Sequence, residues 1–233
     1  MAKEHLHDRR SPQFWLHQAR IPERFWHMSL RDYDVELGSI AVYEAACIVD
    51  ALLANDTHGG VGLTLMGPPG RGKTMIVSIL ARRHLLRHPA EDIYSYKPPV
   101  HFLTLAHYQQ ILLEPMELER LAKFADDRDA ADIAADWREN FDLRRWVYEV
   151  PVLVVDDIGK ERKSKTLHIE GELDLLLRER FDQGRPTLVT SNLKVEDFRT
   201  RYSASMQSFL HEATRVVAVP GEDIRKHPER ARA

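Results

Sequence analysis

One eight-residue segment constrains the fold of this 233-residue chain more than any other feature. Gly67-Pro68-Pro69-Gly70-Arg71-Gly72-Lys73-Thr74 fills every fixed position of the phosphate-binding loop G-x-x-x-x-G-K-[ST]. An apolar run over 61–66 precedes it, and apolar residues recur at helical spacing over 74–88. The segment therefore predicts a buried strand, a tight loop and a helix, with Met75 in the first turn of a helix whose N-terminus faces phosphate oxygens.

The fixed side chains of this loop have separate roles in holding a nucleotide. The glycines let successive backbone N–H groups point at phosphate oxygens, and Lys73 supplies a positive charge to the β- and γ-phosphates. The Thr74 hydroxyl is placed to ligate Mg²⁺. A glycine-proline turn before an ordinary helix is the alternative, but it leaves the filled positions and the strand–loop–helix context unexplained.

Short apolar segments alternate with segments of helical periodicity along the rest of the chain. The further predicted strands and helices cover residues 39–54, 100–104, 105–113, 152–155, 171–181, 187–190 and 215–219. The strand at 152–155 is apolar throughout, which is typical of a strand buried on both faces of a parallel sheet. The alternation predicts an α/β fold with a central parallel sheet and helices on both faces.

Two predicted strand ends carry polar residues that suit nucleotide chemistry. Asp156 and Asp157 follow the strand 152–155, and Asn192 follows the next strand along the chain. Asp156 is predicted to hold Mg²⁺ through the metal's water shell, and Asp157 to orient or deprotonate the attacking water. The Asn192 amide is predicted to hydrogen-bond the γ-phosphate and a water. Each could be a simple turn residue, but their order after a complete phosphate loop favours a nucleotide site.

The composition and the absence of two motifs reduce the range of functions that the chain could have. With 33 Lys and Arg against 36 Asp and Glu, the net charge is −3, so DNA contacts require a local basic patch. The single cysteine, Cys47, excludes an intrachain disulfide and a cysteine-cluster metal site. No apolar run is long enough for a membrane span, and the N-terminus lacks a signal pattern, which predicts a cytoplasmic protein. The guanine-reading motif Asn-Lys-x-Asp and the transporter signature Leu-Ser-Gly-Gly-Gln are both absent, which favours another kind of ATPase.

Five segments together resemble a known group of proteins. They are Ile21-Pro22-Glu23-Arg24-Phe25, the phosphate loop, Val155-Asp156-Asp157-Ile158-Gly159, Thr190-Ser191-Asn192-Leu193 and Gly221-Glu222-Asp223-Ile224-Arg225. This combination resembles the AAA+ ATPases of the DnaC/IstB type, which are replicative helicase loaders and transposition helpers. The resemblance implies a P-loop AAA+ (RecA-like) three-layer sandwich over residues 21–226, with little or no C-terminal lid domain. Residues 1–20 and 227–233 are then expected to be N- and C-terminal tails.

The resemblance also implies a function. It suggests an ATP- and Mg²⁺-dependent protein that loads or remodels a replicative ring helicase on single-stranded DNA, with ATP-dependent assembly into a homo-oligomer. Arg225 matches the family's second sensor arginine, whose guanidinium would contact the nucleotide phosphates. An IstB-like transposition helper and an ATP-dependent assembly adaptor with weak hydrolysis are the alternatives. A small-molecule phosphotransferase is another, but no acceptor pocket or lid is evident in the sequence.

One departure from the family pattern concerns the arginine that completes a neighbouring subunit's ATP site. Ser205 and Phe209 stand where the family has arginines, although Arg199 and Arg201 lie nearby. Such a finger arginine contributes about 10³–10⁵ to the hydrolysis rate in other NTPases. We therefore expect ATP hydrolysis that is weak or that depends on a partner's arginine.

The candidate contacts to macromolecules lie outside the nucleotide motifs. Phe14-Trp15-Leu16 in the N-terminal tail is either a helicase-docking element, as in a compact and phage-encoded loader, or a helix packed on the domain. The basic segment 159–165 is a candidate for DNA phosphates, or else a solvated loop. The helical region 105–145 is where the family places its DNA-contacting insertion. Its candidates are His107, Tyr108, Gln109 and Lys123, of which Tyr108 either stacks a base or packs in the core.

Overall fold

Five parallel strands form the centre of the computed structural model, which describes residues 11–88, 97–122, 127–159 and 169–226. The strands are β1 (Gly62–Met66), β2 (Val100–Thr104), β3 (Val152–Ile158), β4 (Thr187–Ser191) and β5 (Thr214–Ala218). Their order across the sheet is β2-β3-β4-β1-β5, and every neighbouring pair is parallel. The strand after the phosphate loop in sequence, β2, therefore lies at one edge, and β1 is separated from β3 by β4.

Eight α-helices connect and cover these strands in the described residues. They are α1 (Pro12–Gln18), α2 (Ile40–Ala54), α3 (Lys73–Arg87), α4 (Leu105–Ala122), α5 (Asp127–Glu149), α6 (Ile169–Asp182), α7 (Val195–Arg201) and α8 (Ala204–Ala213). Short 3₁₀ helices cover Glu23–Phe25, Leu30–Asp32 and Ile224–Lys226. None of the helices in this part of the chain is both long and apolar enough to cross a membrane.

The two faces of the sheet contribute to separate hydrophobic cores. In β3, Val152 and Val154 point to the core shared with α1, α2 and α3. The alternate residues Leu153 and Val155 point to the core shared with α4 to α8. Successive side chains of a strand point to opposite faces, so an all-apolar strand can be buried on both sides. The predicted α/β three-layer fold is thus confirmed.

The segment Phe14-Trp15-Leu16 belongs to the first of these cores. Its three side chains are between 4 and 8% exposed, and Ser11 caps α1 by accepting a hydrogen bond from the Phe14 N–H. The backbone after α1 lies along the sheet edge, where Phe102 of β2 donates its N–H to the Ala19 carbonyl at 2.8 Å. The packed-helix alternative is therefore the one observed, and these aromatic side chains are not exposed for docking on a helicase.

Helix α4 continues beyond the predicted end at residue 113 and passes through Pro115. A proline has no N–H, so the carbonyl four residues earlier, that of Ile111, loses its helical donor. The Asn140 side chain on α5 donates to this carbonyl at 3.1 Å. A residue distant in sequence thus compensates for the proline, which explains why local sequence rules ended the helix too early.

Candidate nucleotide-binding site

The phosphate loop connects β1 to α3, and two of its glycines make room for the chain that follows β5. Gly67 and Gly70 have φ angles of 147° and 80°. A Cβ at Gly67 would lie 2.5 Å from the Val219 carbonyl oxygen, and one at Gly70 would collide with the Asp223 carboxylate. The Ile224 N–H donates to the Gly70 carbonyl at 2.8 Å. Glycine is therefore required here both for the loop conformation and for the close approach of residues 219–224.

Lys73 lies in the loop's concave side and is only 6% exposed. Its ammonium donates to the carbonyls of Gly67 and Pro68, each at 2.7 Å, and to the Asn192 side-chain oxygen at 3.0 Å. The structure therefore brings together two predicted site residues that are 119 positions apart in the sequence. Phosphate oxygens are charged acceptors and form stronger hydrogen bonds than neutral carbonyls, so a bound nucleotide can compete for this ammonium.

The two residues predicted to hold Mg²⁺ are in direct contact. The Thr74 hydroxyl donates to Asp156 Oδ1 at 3.0 Å, and the Thr190 hydroxyl donates to the same oxygen at 2.6 Å. Burial raises the pKa of the Asp156 carboxyl, although the hydrogen bonds from Thr190 and Thr74 partly oppose the shift. A nearby cation would favour the charged carboxylate.

These donors fit Mg²⁺ and do not form a complete protein cage. No cluster of three or more His, Cys, Asp or Glu residues that could hold a metal occurs in the described ranges. Protein Mg²⁺ sites in nucleotide enzymes commonly use one or two protein oxygens, with waters and substrate phosphates completing the octahedron. Asp156 and Thr74 provide such a pair beside the phosphate loop.

A β-bulge turns Asp157 toward the same cavity as Asp156. The register between β3 and β4 moves from Val155 opposite Val189 to Ile158 opposite Ser191, so three steps on β3 match two on β4. Asp157 lies in this irregularity with φ 65°, in the left-handed region that few non-glycine residues adopt. Neighbouring residues of a regular strand would face opposite sides of the sheet, whereas here both carboxylates line one cavity.

Hydrogen bonds from β4 and its end hold the bulge in place. The Asp157 N–H donates to the Thr190 hydroxyl at 2.9 Å, and the Asn192 amide donates to Asp157 Oδ1. Asn192 thus contacts both Lys73 and Asp157 through the two ends of its amide. These contacts match the predicted grouping of Asp157 with Asn192 beside the phosphate loop.

The cavity above these groups has a volume of about 640 Å³. The loop residues Pro69 to Met75 line one side, with Asp156, Asp157 and Asn192. A second wall comes from residues outside the predicted site: Arg24, Phe25, Met28, Asp32 and Ile224. This wall offers apolar surface together with charged groups, a mixture that suits a heterocyclic base and its sugar.

Sequence reasoning did not assign roles to this second wall, nor to Thr190. The sequence gives little indication of this wall, because residues 21–38 show no helical or strand periodicity. Which of their side chains reach the cavity depends on how this irregular segment folds over the phosphate loop. Arg71, which was predicted, has its Nε and Nη1 atoms buried without a hydrogen-bond partner among the described residues. It provides further unsatisfied donors within the phosphate loop.

Several predicted residues lie elsewhere or outside the described residues. Arg225 follows Ile224 in a 3₁₀ helix beside the cavity, but its side chain is outside the described part, as are Lys123 and residues 160–165. Tyr108 is 1% exposed, so it packs in the core and does not stack a base.

Ser205 and Phe209 lie on α8 and do not line the nucleotide cavity. The Arg178 guanidinium of α6 lies over the Phe209 ring at 4.4 Å and donates to the Ser205 hydroxyl at 3.3 Å. Of the two arginines suggested as substitutes, Arg201 pairs with Glu170. An arginine from another helix, Arg178, therefore lies against both Ser205 and Phe209.

No protein-family model and no curated protein matches this chain. Comparison of folds, in contrast, finds similar solved structures. The DnaC helicase loader is 20% identical with a TM-score of 0.53, covering 85% of this chain and 100% of that one. DnaI is 18% identical with a TM-score of 0.54, covering 85% and 94%. The replication initiator DnaA bound to AMPPCP and single-stranded DNA is 14% identical with a TM-score of 0.57, covering 89% and 55%. The chain therefore has the same fold as DnaC, DnaI and DnaA.

Proposed function

We propose that this protein binds ATP and Mg²⁺ and loads or remodels a replicative ring helicase on single-stranded DNA. The observation that carries the proposal is the convergence of Lys73, Thr74, Asp156, Asp157 and Asn192 on one cavity at the carboxyl edge of the sheet. Similarity to a helicase loader and to DnaA bound to an ATP analogue and single-stranded DNA supports a replication role. The proposed mode of action is ATP-dependent assembly of several copies around DNA.

Different residues of the cavity would bind the phosphates, hold Mg²⁺ and activate the water. Backbone N–H groups of the loop and Lys73 would hold the β- and γ-phosphates, while Thr74 and Asp156 would hold Mg²⁺. When bound, Mg²⁺ neutralises the negative charge of the phosphates. Asp157 would orient the attacking water and accept its proton, and Asn192 would fix the Asp157 carboxylate and contact the γ-phosphate.

Hydrolysis in an assembly of this kind would need an arginine from a neighbouring subunit. We propose Arg178 for that role, because its guanidinium occupies the space beside Ser205 and Phe209. It is 37% exposed and pairs with Asp174 at 2.9 Å, so it is ordered yet accessible to a second copy. Arg178→Ala should then lower turnover by at least about 10³-fold, by analogy with other finger arginines, while leaving ATP affinity unchanged.

A second function, an ATP-dependent assembly adaptor with negligible hydrolysis, is favoured by one observation. No arginine stands at positions 205 and 209 themselves. If Arg178 serves only to pack α6 on α8, ATP would act as an assembly switch. ATP-dependent assembly without turnover under any condition, and no effect of Arg178→Ala, would favour the adaptor.

The experiment that tests the main proposal measures ATP binding and turnover with and without single-stranded DNA and a replicative ring helicase. Lys73→Ala should abolish nucleotide binding, whereas the matched control Lys194→Ala, at an exposed lysine outside the cavity, should not. Stimulation by the helicase and DNA supports a loader. Binding to a transposase without any effect of the helicase would support a transposition helper, and retained ATP binding by a folded Lys73→Ala variant would refute the nucleotide site.

A further inference from the structure

A second cavity, of about 890 Å³, lies between α4 and α5 and shares no lining residue with the nucleotide cavity. We call it the α4–α5 groove. Its charged lining residues are Arg20, Glu114, Glu117, Arg120, Asp136 and Glu139. Arg120 is already paired with Glu117. The groove therefore presents more carboxylates than cations.

Asn140 at the base of this groove offers an acceptor without a donor. Its side chain is 4% exposed, and its amide nitrogen donates to the Ile111 carbonyl at 3.1 Å and to the Glu114 carboxylate at 2.5 Å. Both partners accept hydrogen bonds only, which fixes the orientation of the amide. Its oxygen, Oδ1, is buried and has no hydrogen-bond partner among the described residues. A buried acceptor of this kind is stabilised by an incoming N–H donor.

Charge shows which ligands the groove can accept. Helices α4 and α5 together contain ten Asp or Glu residues and five Arg residues. Such a hairpin repels nucleic-acid phosphates, which need cationic partners. It attracts a lysine ammonium or an arginine guanidinium, whose N–H groups match the carboxylates and the Asn140 oxygen.

Apolar groups beside the groove favour a protein ligand over a small cation. Met116, which lines the groove, is 51% exposed, and the partly buried Leu113 and Leu143 line it as well. Exposed apolar residues beside charged ones are typical of surfaces that bind other proteins. We propose that the α4–α5 groove binds a basic amphipathic segment of a partner protein, with a lysine or arginine head group beside the Glu114 carboxylate and the Asn140 oxygen.

The probe is a fluorescein-labelled helical peptide with arginines on one face and leucines on the other, titrated with the full chain and followed by fluorescence anisotropy. A peptide with glutamates in place of the arginines and a labelled oligothymidine serve as comparisons. Asp136→Lys combined with Glu139→Lys reverses two exposed charges at the groove. Glu44→Lys with Glu212→Lys makes the same change in net charge on α2 and α8, outside the groove.

The groove variant should bind the basic peptide at least about tenfold more weakly than the wild type, because it replaces attractive charge contacts with repulsive ones. The control variant should stay within about twofold of wild type, since it leaves the groove intact. Asn140→Leu should also weaken binding, with its folding verified by thermal denaturation. Equal losses in both charge variants, absence of peptide binding by the wild type, or displacement of the peptide by oligothymidine would each overturn the proposal.

Discussion

The hydrogen bond from Asn140 near Pro115 can be tested by a double-mutant cycle, because the structure predicts the sign of the coupling energy between the two residues. The Ile111 carbonyl has no helical N–H because residue 115 is proline, and the Asn140 amide supplies the missing donor at 3.1 Å. Asn140→Ala removes this donor and the contact with Glu114. Since the site is buried, we expect a loss of about 1–3 kcal/mol in the free energy of unfolding, the usual cost of leaving a buried polar group unpaired.

Pro115→Ala should reduce the contribution of the Asn140 amide to stability. Alanine restores an N–H that can donate to the Ile111 carbonyl within α4, and it removes a residue that costs about 3 kcal/mol relative to alanine in a regular helix. In the Pro115→Ala background, Asn140→Ala should therefore cost about 1 kcal/mol less than in the wild type, the net contribution of one hydrogen bond. The two substitutions are expected to be non-additive by that amount.

The assay is urea denaturation of the four proteins of the cycle, followed by two independent probes to establish two-state behaviour. Asn55→Ala is a matched control, because the Asn55 amide also donates to a helix carbonyl, that of Ala51 at 2.8 Å, but in an exposed position. Its effect should be small and should add to that of Pro115→Ala. If the Asn140 and Pro115 effects also add within error, Asn140 does not replace the missing helical donor.

Three further predictions concern stability and the phosphate loop. Arg180 is fully buried and donates to carbonyls at the end of α5, including those of Val147 and Val150. Arg180→Met leaves these carbonyls without a donor, so we expect a loss of about 3 kcal/mol or more in the free energy of unfolding, measured by urea denaturation. A loss below about 1 kcal/mol would contradict this. Burial lowers the pKa of His101 to about 3, so the unfolded chain binds a proton at this residue at a higher pH than the folded chain does. The contribution of His101 to the free energy of unfolding is therefore complete above about pH 6.5 and decreases as the pH falls toward 3. At pH 5 we expect this contribution to be about 2 kcal/mol lower. His101→Phe should reduce that loss in acid titrations monitored by circular dichroism, and an unchanged acid midpoint would refute the assignment. Gly70→Ala should weaken ATP binding at least about tenfold, by strain at φ 80° and the clash with Asp223, and calorimetric binding equal to wild type would rule this out.

The grouping of the candidate nucleotide-binding residues could be predicted from sequence because these residues lie in short local segments. The loop that ends in Lys73 and Thr74 requires particular residues at fixed spacing, and Asp156 directly follows an unmistakably buried strand. The parallel sheet then brings the carboxyl ends of different strands to one edge, so their proximity follows from the fold class. The contacts of Thr74 with Asp156, and of Lys73 with Asn192, agree with this reasoning.

Features that depend on contacts between distant segments could not be predicted in the same way. The burial of Trp15 depends on its packing in the core formed with α2 and α3, and a short apolar cluster is equally compatible with an exposed docking element. Where α4 passes through Pro115, the Ile111 carbonyl is paired by Asn140, 25 positions later. Likewise, the wall containing Phe25 and Met28 depends on where an aperiodic segment settles over the loop.

The bulge at Asp157 shows how one neighbouring strand can set the geometry of two acidic side chains. The Thr190 hydroxyl accepts a hydrogen bond from the Asp157 N–H and donates one to Asp156 Oδ1. The Thr190 side chain on β4 thus holds both the backbone of Asp157 and the carboxylate of Asp156. A positive φ at a non-glycine residue costs about 1–3 kcal/mol and persists only where surrounding contacts fix it. Because Thr190 is 1% exposed and lies within a paired strand, it can supply such a contact without moving itself. The different surroundings of these two carboxylates are therefore set in large part by contacts within the sheet.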